Sequence, residues 1–122
     1  MAGTRRVLMV DDEPGIGPLV SMCLEDLDVE VVVAKDLDEA LEVAGDGAIG
    51  LVLLDIALGP QDGIAILPRL RADANLEGVP VVAFSAHDSR RSEALERGAD
   101  SFLSRPFSSA ELRAVVDRYL VA

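Results

Sequence analysis

The sequence predicts a single α/β domain in which helices cover both faces of a five-stranded parallel sheet. Three short apolar runs, at 7–10, 51–54 and 81–84, each end in a polar residue and are typical of strands buried on both faces. Amphipathic segments separate these runs, so strands and helices alternate along the chain. A length of 122 residues suits one domain of ordinary size.

The strands are predicted from runs of apolar or alternating residues bounded by turn signals. They lie at 6–10, 29–34, 49–54, 79–84 and 101–104. The third strand leads directly into Asp55, after which Gly59-Pro60 and Gly63 indicate a turn.

The helices are predicted from apolar side chains that recur at helical spacing. They lie at 16–27, 37–44, 63–74, 89–97 and 108–120. In the first helix the apolar face contains Ile16, Leu19, Val20, Cys23, Leu24 and Leu27. Asp36 with Glu39 and Ser108 with Glu111 have the spacing of capping boxes, and Gly98 ends the fourth helix.

The polarity of the strands predicts their order in the sheet. The entirely apolar strands belong in the centre, and the mixed strands at 29–34 and 101–104 belong at the edges. With right-handed crossovers the order 2-1-3-4-5 satisfies this, which is the flavodoxin-like doubly wound sheet. We expect residues 6–122 to form this domain and residues 1–5 to be a short N-terminal lead.

Composition and charge exclude several classes of protein. Eleven basic and 22 acidic side chains give a net charge of −11, so the domain is not expected to bind nucleic acid or an anionic membrane directly. No apolar run approaches the roughly 20 residues of a membrane span. The N-terminus lacks the apolar region of a signal peptide, and we expect a cytoplasmic location.

The chain has one cysteine and one histidine, which limits its metal and nucleophile chemistry. Cys23 lies on the apolar face of the first helix, so we expect a buried core thiol. His87 has no partner that the sequence reveals, and an exposed side chain is the favoured interpretation.

Reactive side chains collect where the parallel strands end. The first strand leads to Asp11 and Asp12, the third to Asp55, the fourth to Ser85 and the fifth to Arg105. Carboxylate oxygens without His or Cys nearby suit Mg²⁺, which would relieve the repulsion among the three acids. A carboxylate beside Mg²⁺, a hydroxyl and a guanidinium is typical of phosphoryl transfer, with Asp55 as the nucleophile.

Two enzymatic alternatives are disfavoured by missing motifs. Neither GxxxxGK[ST] nor GxGxxG occurs, which argues against nucleotide binding. A Mg²⁺-dependent phosphohydrolase would need an Asp-x-Asp nucleophile motif and a substrate cap, and Asp55 is not part of such a motif.

From about Arg6 onward the chain resembles a response regulator receiver domain of the chemotaxis-regulator (CheY-like) type, which acts in two-component signalling. The pieces that carry the resemblance lie in order at the strand ends. They are Val10-Asp11-Asp12-Glu13, Leu53-Leu54-Asp55, Asp62-Gly63, Phe84-Ser85-Ala86, Gly98-Ala99-Asp100 and Phe102 with Pro106-Phe107.

The resemblance implies that Asp55 accepts a phosphoryl group from a histidine kinase or a histidine phosphotransfer protein. It implies that Asp12, Asp55 and the backbone carbonyl of Ala57 ligate Mg²⁺, with Asp11 reaching the ion through water. Such a domain is a signalling phosphoacceptor rather than an enzyme, because it promotes only its own phosphotransfer and dephosphorylation.

The resemblance also assigns contacts and a switch. Ser85, the backbone of Ala86 and Arg105 would contact the phosphoryl group. Ser85 and Phe102 would be the switch residues, with the Phe102 ring turning in behind Ser85. The face formed by residues 89–120 would then bind a downstream effector protein or domain, or a second copy of the chain in a homodimer.

The sequence departs from the family at Arg105, at Gly59-Pro60 and in the connection from Ser85 to Gly98, whose shortness predicts a small or displaced helix at 89–97. Arg105 stands where the family has Lys, and a planar guanidinium differs from an ammonium in its contacts. Arg105 could also be a structural partner of the acids. This departure leaves open a second hypothesis, a receiver-like interaction module that acts without phosphorylation. Gly59-Pro60 reverses the family's usual Pro-Gly order, and the Arg105-Pro106 bond is often cis in the family.

Overall fold

The computed structural model describes residues 6–58 and 61–120, and it contains the predicted parallel sheet. The strands are β1 (Arg6–Val10), β2 (Glu30–Ala34), β3 (Ile49–Asp55), β4 (Val81–Ser85) and β5 (Ser101–Ser104). Their order, β2-β1-β3-β4-β5, confirms the predicted flavodoxin-like topology. The predicted lead at 1–5 and the predicted Gly59-Pro60 turn lie outside the described residues.

Within the described residues five α-helices flank the sheet, and all except the second are shorter than predicted, the last by one residue at each end. They are α1 (Ile16–Cys23), α2 (Leu37–Gly45), α3 (Gly63–Ala72), α4 (Arg91–Glu96) and α5 (Ser109–Tyr119). Short 3₁₀ turns at Glu25–Leu27, Ala74–Leu76 and Asp88–Arg90 replace parts of the predicted helices 16–27, 63–74 and 89–97. At the end of α1 the N–H of Leu24 donates to the carbonyls of both Val20 and Ser21, which tightens the last turn.

Side chains alternate across the strands and build one apolar layer on each face of the sheet. Leu8, Val52 and Ala83 face α2, α3 and α4, whereas Met9 and Leu53 face α1 and α5. Burying one such side chain contributes on the order of 1.5–3 kcal/mol, so these layers supply the main stabilisation of the fold.

Two predictions for the first helix were wrong, because α1 and α5 leave a cavity between them. Leu19 was predicted to lie on the buried face, but 55% of it is exposed. Cys23 is only partly buried, and its sulfur lies 3.1 Å from Oγ of Ser109. Both residues line a cavity of about 360 Å³ between α1 and α5.

Local signals at the helix ends are mostly as predicted. Ser108 Oγ accepts the N–H of Glu111, and Glu111 Oε1 accepts the N–H of Ser108, a complete capping box. Asp36 caps α2, but the Glu39 carboxylate accepts the N–H of Lys35 rather than that of Asp36. The Arg105-Pro106 bond is cis, and Gly98 has a φ of 121° after α4. Among the described residues no helix is long and apolar enough to cross a membrane.

The loop after β3 is held close to the end of the sheet. The backbone of Ala57–Leu58 pairs antiparallel with Gln61–Asp62, and Asp62 Oδ1 caps α3 by accepting the N–H of Ile64. The N–H of Gly63 donates to the carbonyl of Ile56 over 2.7 Å. A Cβ on Gly63 would lie 2.5 Å from Cα of Ile56 and 2.6 Å from the carbonyl oxygen of Asp55, so a glycine is required.

Replacing Gly63 with alanine should therefore destabilise the protein. Because the clash is with backbone atoms, Gly63→Ala is expected to lower the free energy of unfolding by about 2–3 kcal/mol in urea denaturation. Gly45→Ala is the matched control, since a Cβ there meets nothing within 4 Å. Gly45→Ala should leave stability unchanged or raise it by up to about 1 kcal/mol. Equal losses in both variants would contradict the prediction.

Candidate functional site

Three carboxylates meet where β1 and β3 end. Asp11, Asp12 and Asp55 each offer an oxygen within 4.8 Å of the others. Asp11 and Asp55 are 1% and 5% exposed, whereas Asp12 faces solvent. The parallel sheet positions these residues, because β1 and β3 are neighbours and end at the same edge.

Burial makes two of these carboxylates weaker acids than usual. Burial, followed by the negative charge of Asp11, raises the pKa of Asp55 from 3.8 to about 6. Burial also raises the pKa of Asp11. Ionising these two carboxylates therefore costs free energy, and a cation bound between them would lower that cost.

Arg105 lies against the acidic cluster through several contacts. Its Nη2 donates to Asp11 Oδ2 over 2.9 Å, and its Nη1 lies 3.5 Å from Glu13 Oε1. The guanidinium carbon lies 4.7 Å above the Phe84 ring, which supports the side chain from below. The structural partnership with the acids considered from the sequence is thus present. The contact with Glu13 was not predicted, although Glu13 directly follows the two aspartates.

Backbone N–H groups hold the other predicted site residues. Ala57 donates to Oδ1 of Asp55 over 3.0 Å, and His87 donates to Oγ of the buried Ser85 over 3.0 Å. The carbonyl of Ser85 accepts the N–H of Arg105 over 2.8 Å. Ala86 and the His87 side chain are exposed, which confirms the favoured interpretation of His87.

Phe102, the predicted switch residue, is 6% exposed and already points into the core. It lies beside Ala83 of β4, on the face of the sheet covered by α3 and α4. The guanidinium carbon of Arg91 lies 4.9 Å above its ring, and Arg91 Nη1 lies 3.5 Å from its carbonyl oxygen. The sequence did not predict this contact of Arg91 with the Phe102 ring, because the two residues lie on different elements.

A second unpredicted contact crosses between the two loops at this edge of the sheet. Arg90 Nη2 lies 3.2 and 3.1 Å from the two carboxylate oxygens of Asp62, and 3.3 Å from Glu93 Oε1. Asp62 was noted in the sequence only as part of Asp62-Gly63. The pairing with Arg90 spans 28 positions, so no local spacing indicated it.

Comparison with known proteins identifies the family. The family model described as response regulator receiver domain matches residues 7–117. The chain belongs to this family. The resemblance inferred from the motifs is confirmed, and the protein is a receiver domain of the kind found in two-component response regulators.

The curated relatives are longer proteins. The response regulator Rre1 of Synechocystis sp. is 37% identical over 98% of this chain and 53% of its own length. The phosphate regulon transcriptional regulatory protein PhoB of Escherichia coli is 35% identical over 90% of this chain and 49% of its own length. The receiver domain thus spans about half the length of these relatives.

Solved receiver structures share the fold. Chemotaxis protein CheY4 of Vibrio cholerae has a TM-score of 0.84 and 25% identity, covering 95% of this chain and 98% of its own. The receiver domain of the sensor histidine kinase PA1611 of Pseudomonas aeruginosa has a TM-score of 0.82 and 27% identity, covering 97% and 98%. In that PA1611 structure a magnesium ion is coordinated in the active site cleft.

The raised pKa of Asp55 predicts how stability depends on pH. In the folded chain Asp55 holds its proton up to a pKa of about 6, against 3.8 ordinarily, so stability is highest below pH 4 for this group and falls as pH rises toward 6. Asp55→Asn, which stays neutral, should gain about 2–3 kcal/mol over wild type between these limits. Urea denaturation in EDTA across this range measures the difference. A constant difference would contradict the assignment.

Removing Arg105 should leave the buried carboxylate of Asp11 without its cation. Because Arg105 is a quarter exposed, Arg105→Gln is expected to lower the free energy of unfolding near neutral pH by about 2 kcal/mol. Arg105→Lys keeps the charge and should lose less. Arg113 pairs with Asp26 on the surface, so Arg113→Gln serves as the control, with a loss below about 0.5 kcal/mol. Equal losses of stability in Arg105→Gln and Arg113→Gln would contradict the prediction that the buried pair contributes more than the surface pair.

Proposed function

We propose that Asp55 accepts a phosphoryl group from the phosphohistidine of a histidine kinase or a histidine phosphotransfer protein. The face formed by residues 89–120 then changes its binding of partners. One observation carries the proposal: the buried carboxylate of Asp55 lies within 4.8 Å of two further carboxylates, at the end of the central strand of a receiver fold. The clustering of groups with shifted pKa values is typical of functional sites.

In the proposed step the P–N bond to the donor imidazole breaks while a P–O bond to Asp55 forms. The imidazole nitrogen leaves with the bonding electron pair. A carboxyl with a pKa of about 6 is largely ionised near neutral pH, so Asp55 can act as the nucleophile. The N–H of Ala57 fixes one of its oxygens and so sets the direction from which the carboxylate attacks.

The donor set of the site fits Mg²⁺. It consists of carboxylates, without histidine or cysteine among the grouped residues, and two of them are buried. Asp12, Asp55 and the carbonyl of Ala57 would hold the ion, with Asp11 reaching it through water. When bound, Mg²⁺ would neutralise charge on the phosphoryl oxygens.

Ser85, the backbone of Ala86 and Arg105 are proposed to contact the phosphoryl group from the other side. Ser85 Oγ accepts the N–H of His87, so its own hydroxyl proton remains able to donate. A guanidinium has five N–H donors, and Arg105 can keep its bond to Asp11 while another N–H contacts a phosphoryl oxygen.

The surface beside the site offers a place for the phosphoryl donor. Leu19 and Met22 of α1 are 55% and 65% exposed, and their spacing of three residues places them side by side as a small apolar patch. The cavity between α1 and α5 reaches Glu13 and Arg105, next to the acidic cluster. We propose that the donor docks along this groove, whereas effectors or a second copy bind the face formed by residues 89–120.

The second candidate is the interaction module that acts without phosphorylation. The contact that favours it is the one between Arg91 and Phe102, which holds the switch ring inward through groups outside the acidic cluster. The cytoplasmic location expected from the sequence stays a prediction.

Incubation with acetyl phosphate and Mg²⁺ should produce an acid-labile phosphoryl adduct on wild type. The adduct should be absent from Asp55→Asn and from wild type in EDTA. The control is Asp46→Asn, which changes an exposed aspartate at the C-terminal end of α2 and should still form the adduct. Phosphate-affinity gels and intact mass measure the adduct.

Beryllofluoride with Mg²⁺ should shift amide resonances of residues 85–105 in wild type but not in Asp55→Asn. Absence of both the adduct and the shifts would contradict the phosphoacceptor proposal and favour the second candidate. An adduct that persists in Asp55→Asn would move the phosphorylation site elsewhere.

A further inference from the structure

Arg90 connects the two loops that surround the acidic cluster. It belongs to the 3₁₀ turn between β4 and α4, and its guanidinium contacts both carboxylate oxygens of Asp62 in the loop after β3. Glu93 also accepts from this guanidinium over 3.3 Å. Because one guanidinium holds two carboxylates, this is a small network rather than an isolated surface ion pair.

The side chain of Arg90 is connected to Asp55 through Asp62 and Ala57. Asp62 pairs with Ala57 in the antiparallel ladder, and it also caps α3. The N–H of Ala57 in turn donates to the carboxylate of Asp55. A displacement of Asp62 therefore moves the residue that orients the phosphoacceptor.

The backbone of Arg90 is connected to Ser85 through two hydrogen bonds of His87. Its N–H donates to the carbonyl of His87 over 3.0 Å, which closes the turn after β4. The N–H of His87 donates to Oγ of Ser85. One residue thus belongs by its backbone to the turn that holds Ser85, and by its side chain to the loop that holds Asp55.

We propose that Arg90 is a positioning residue that keeps the Ala57 and His87 turns in register on opposite sides of the phosphoryl position. This inference rests on the proposed function, because it concerns the same site. With the ion pair intact, the two turns hold the carboxylate of Asp55 and the hydroxyl of Ser85 in fixed orientations. Without it the turns move independently, and phosphoryl transfer slows because misplacing reacting groups is costly. Arg91, the neighbouring arginine, contacts Phe102 instead and belongs to the switch side.

Two variants break the pair from opposite ends. Arg90→Gln removes the cation. Asp62→Asn removes the anion but keeps an oxygen that caps α3, since Asn caps helices as well as Asp does. Arg69→Gln is the control, because Arg69 is exposed on α3 and no ion-pair partner for it lies within residues 6–58 and 61–120.

The first measurement is amide hydrogen exchange by NMR without Mg²⁺. In Arg90→Gln and in Asp62→Asn the amides of both Ala57 and His87 should exchange about three- to tenfold faster than in wild type. Exchange should be unchanged in Arg69→Gln. The double variant should be no faster than either single variant, because the residues act as one pair. Unchanged exchange at both amides, or a purely additive double variant, overturns the inference.

The second measurement is the initial rate of labelling by acetyl phosphate at saturating Mg²⁺. The rate should fall about three- to tenfold in both variants and stay unchanged in Arg69→Gln. Faster exchange with unchanged labelling overturns the role of Arg90 in the reaction. If wild type itself is not labelled, the proposed function fails, and the exchange measurement alone then supports or overturns the linkage of the two turns.

Discussion

The rest of the structure depends on holding two buried carboxylates, Asp11 and Asp55, next to each other. Burial raises both pKa values, and the charge of Asp11 raises that of Asp55 further, so other groups must offset the cost of ionising the pair. Arg105 supplies positive charge to Asp11, and the N–H of Ala57 binds Asp55. The negative charge that remains is the property that suits the site to a divalent cation.

The loops around this pair are short and tightly tied. Gly63 allows the chain after β3 to return against its own backbone, and Asp62 receives the guanidinium of Arg90. On the other side, α4 has six residues, too few for a helix to be stable by itself. Its position depends on side-chain contacts such as that between Arg91 and Phe102. The proposed switch would therefore have few contacts to rearrange between Asp55 and the face formed by residues 89–120.

Sequence reasoning predicted the elements that depend on local chemistry. Apolar runs identified the strands, and their polarity predicted the strand order. The spacing of Ser108 and Glu111 predicted the capping box of α5. The predicted end of α1 and the predicted burial of Leu19 were wrong. Helical periodicity shows which residues share a face but not whether a neighbouring helix covers that face.

By itself the sequence determined the alternation of strands and helices and the meeting of Asp11, Asp12 and Asp55 at one edge. Parallel strands bring their carboxyl ends together whatever the details of packing. Only the tertiary structure decided the partners of the arginines, since long side chains choose among carboxylates and rings that the fold brings near. The pairing of Arg90 with Asp62 therefore could not be derived before the loops were placed.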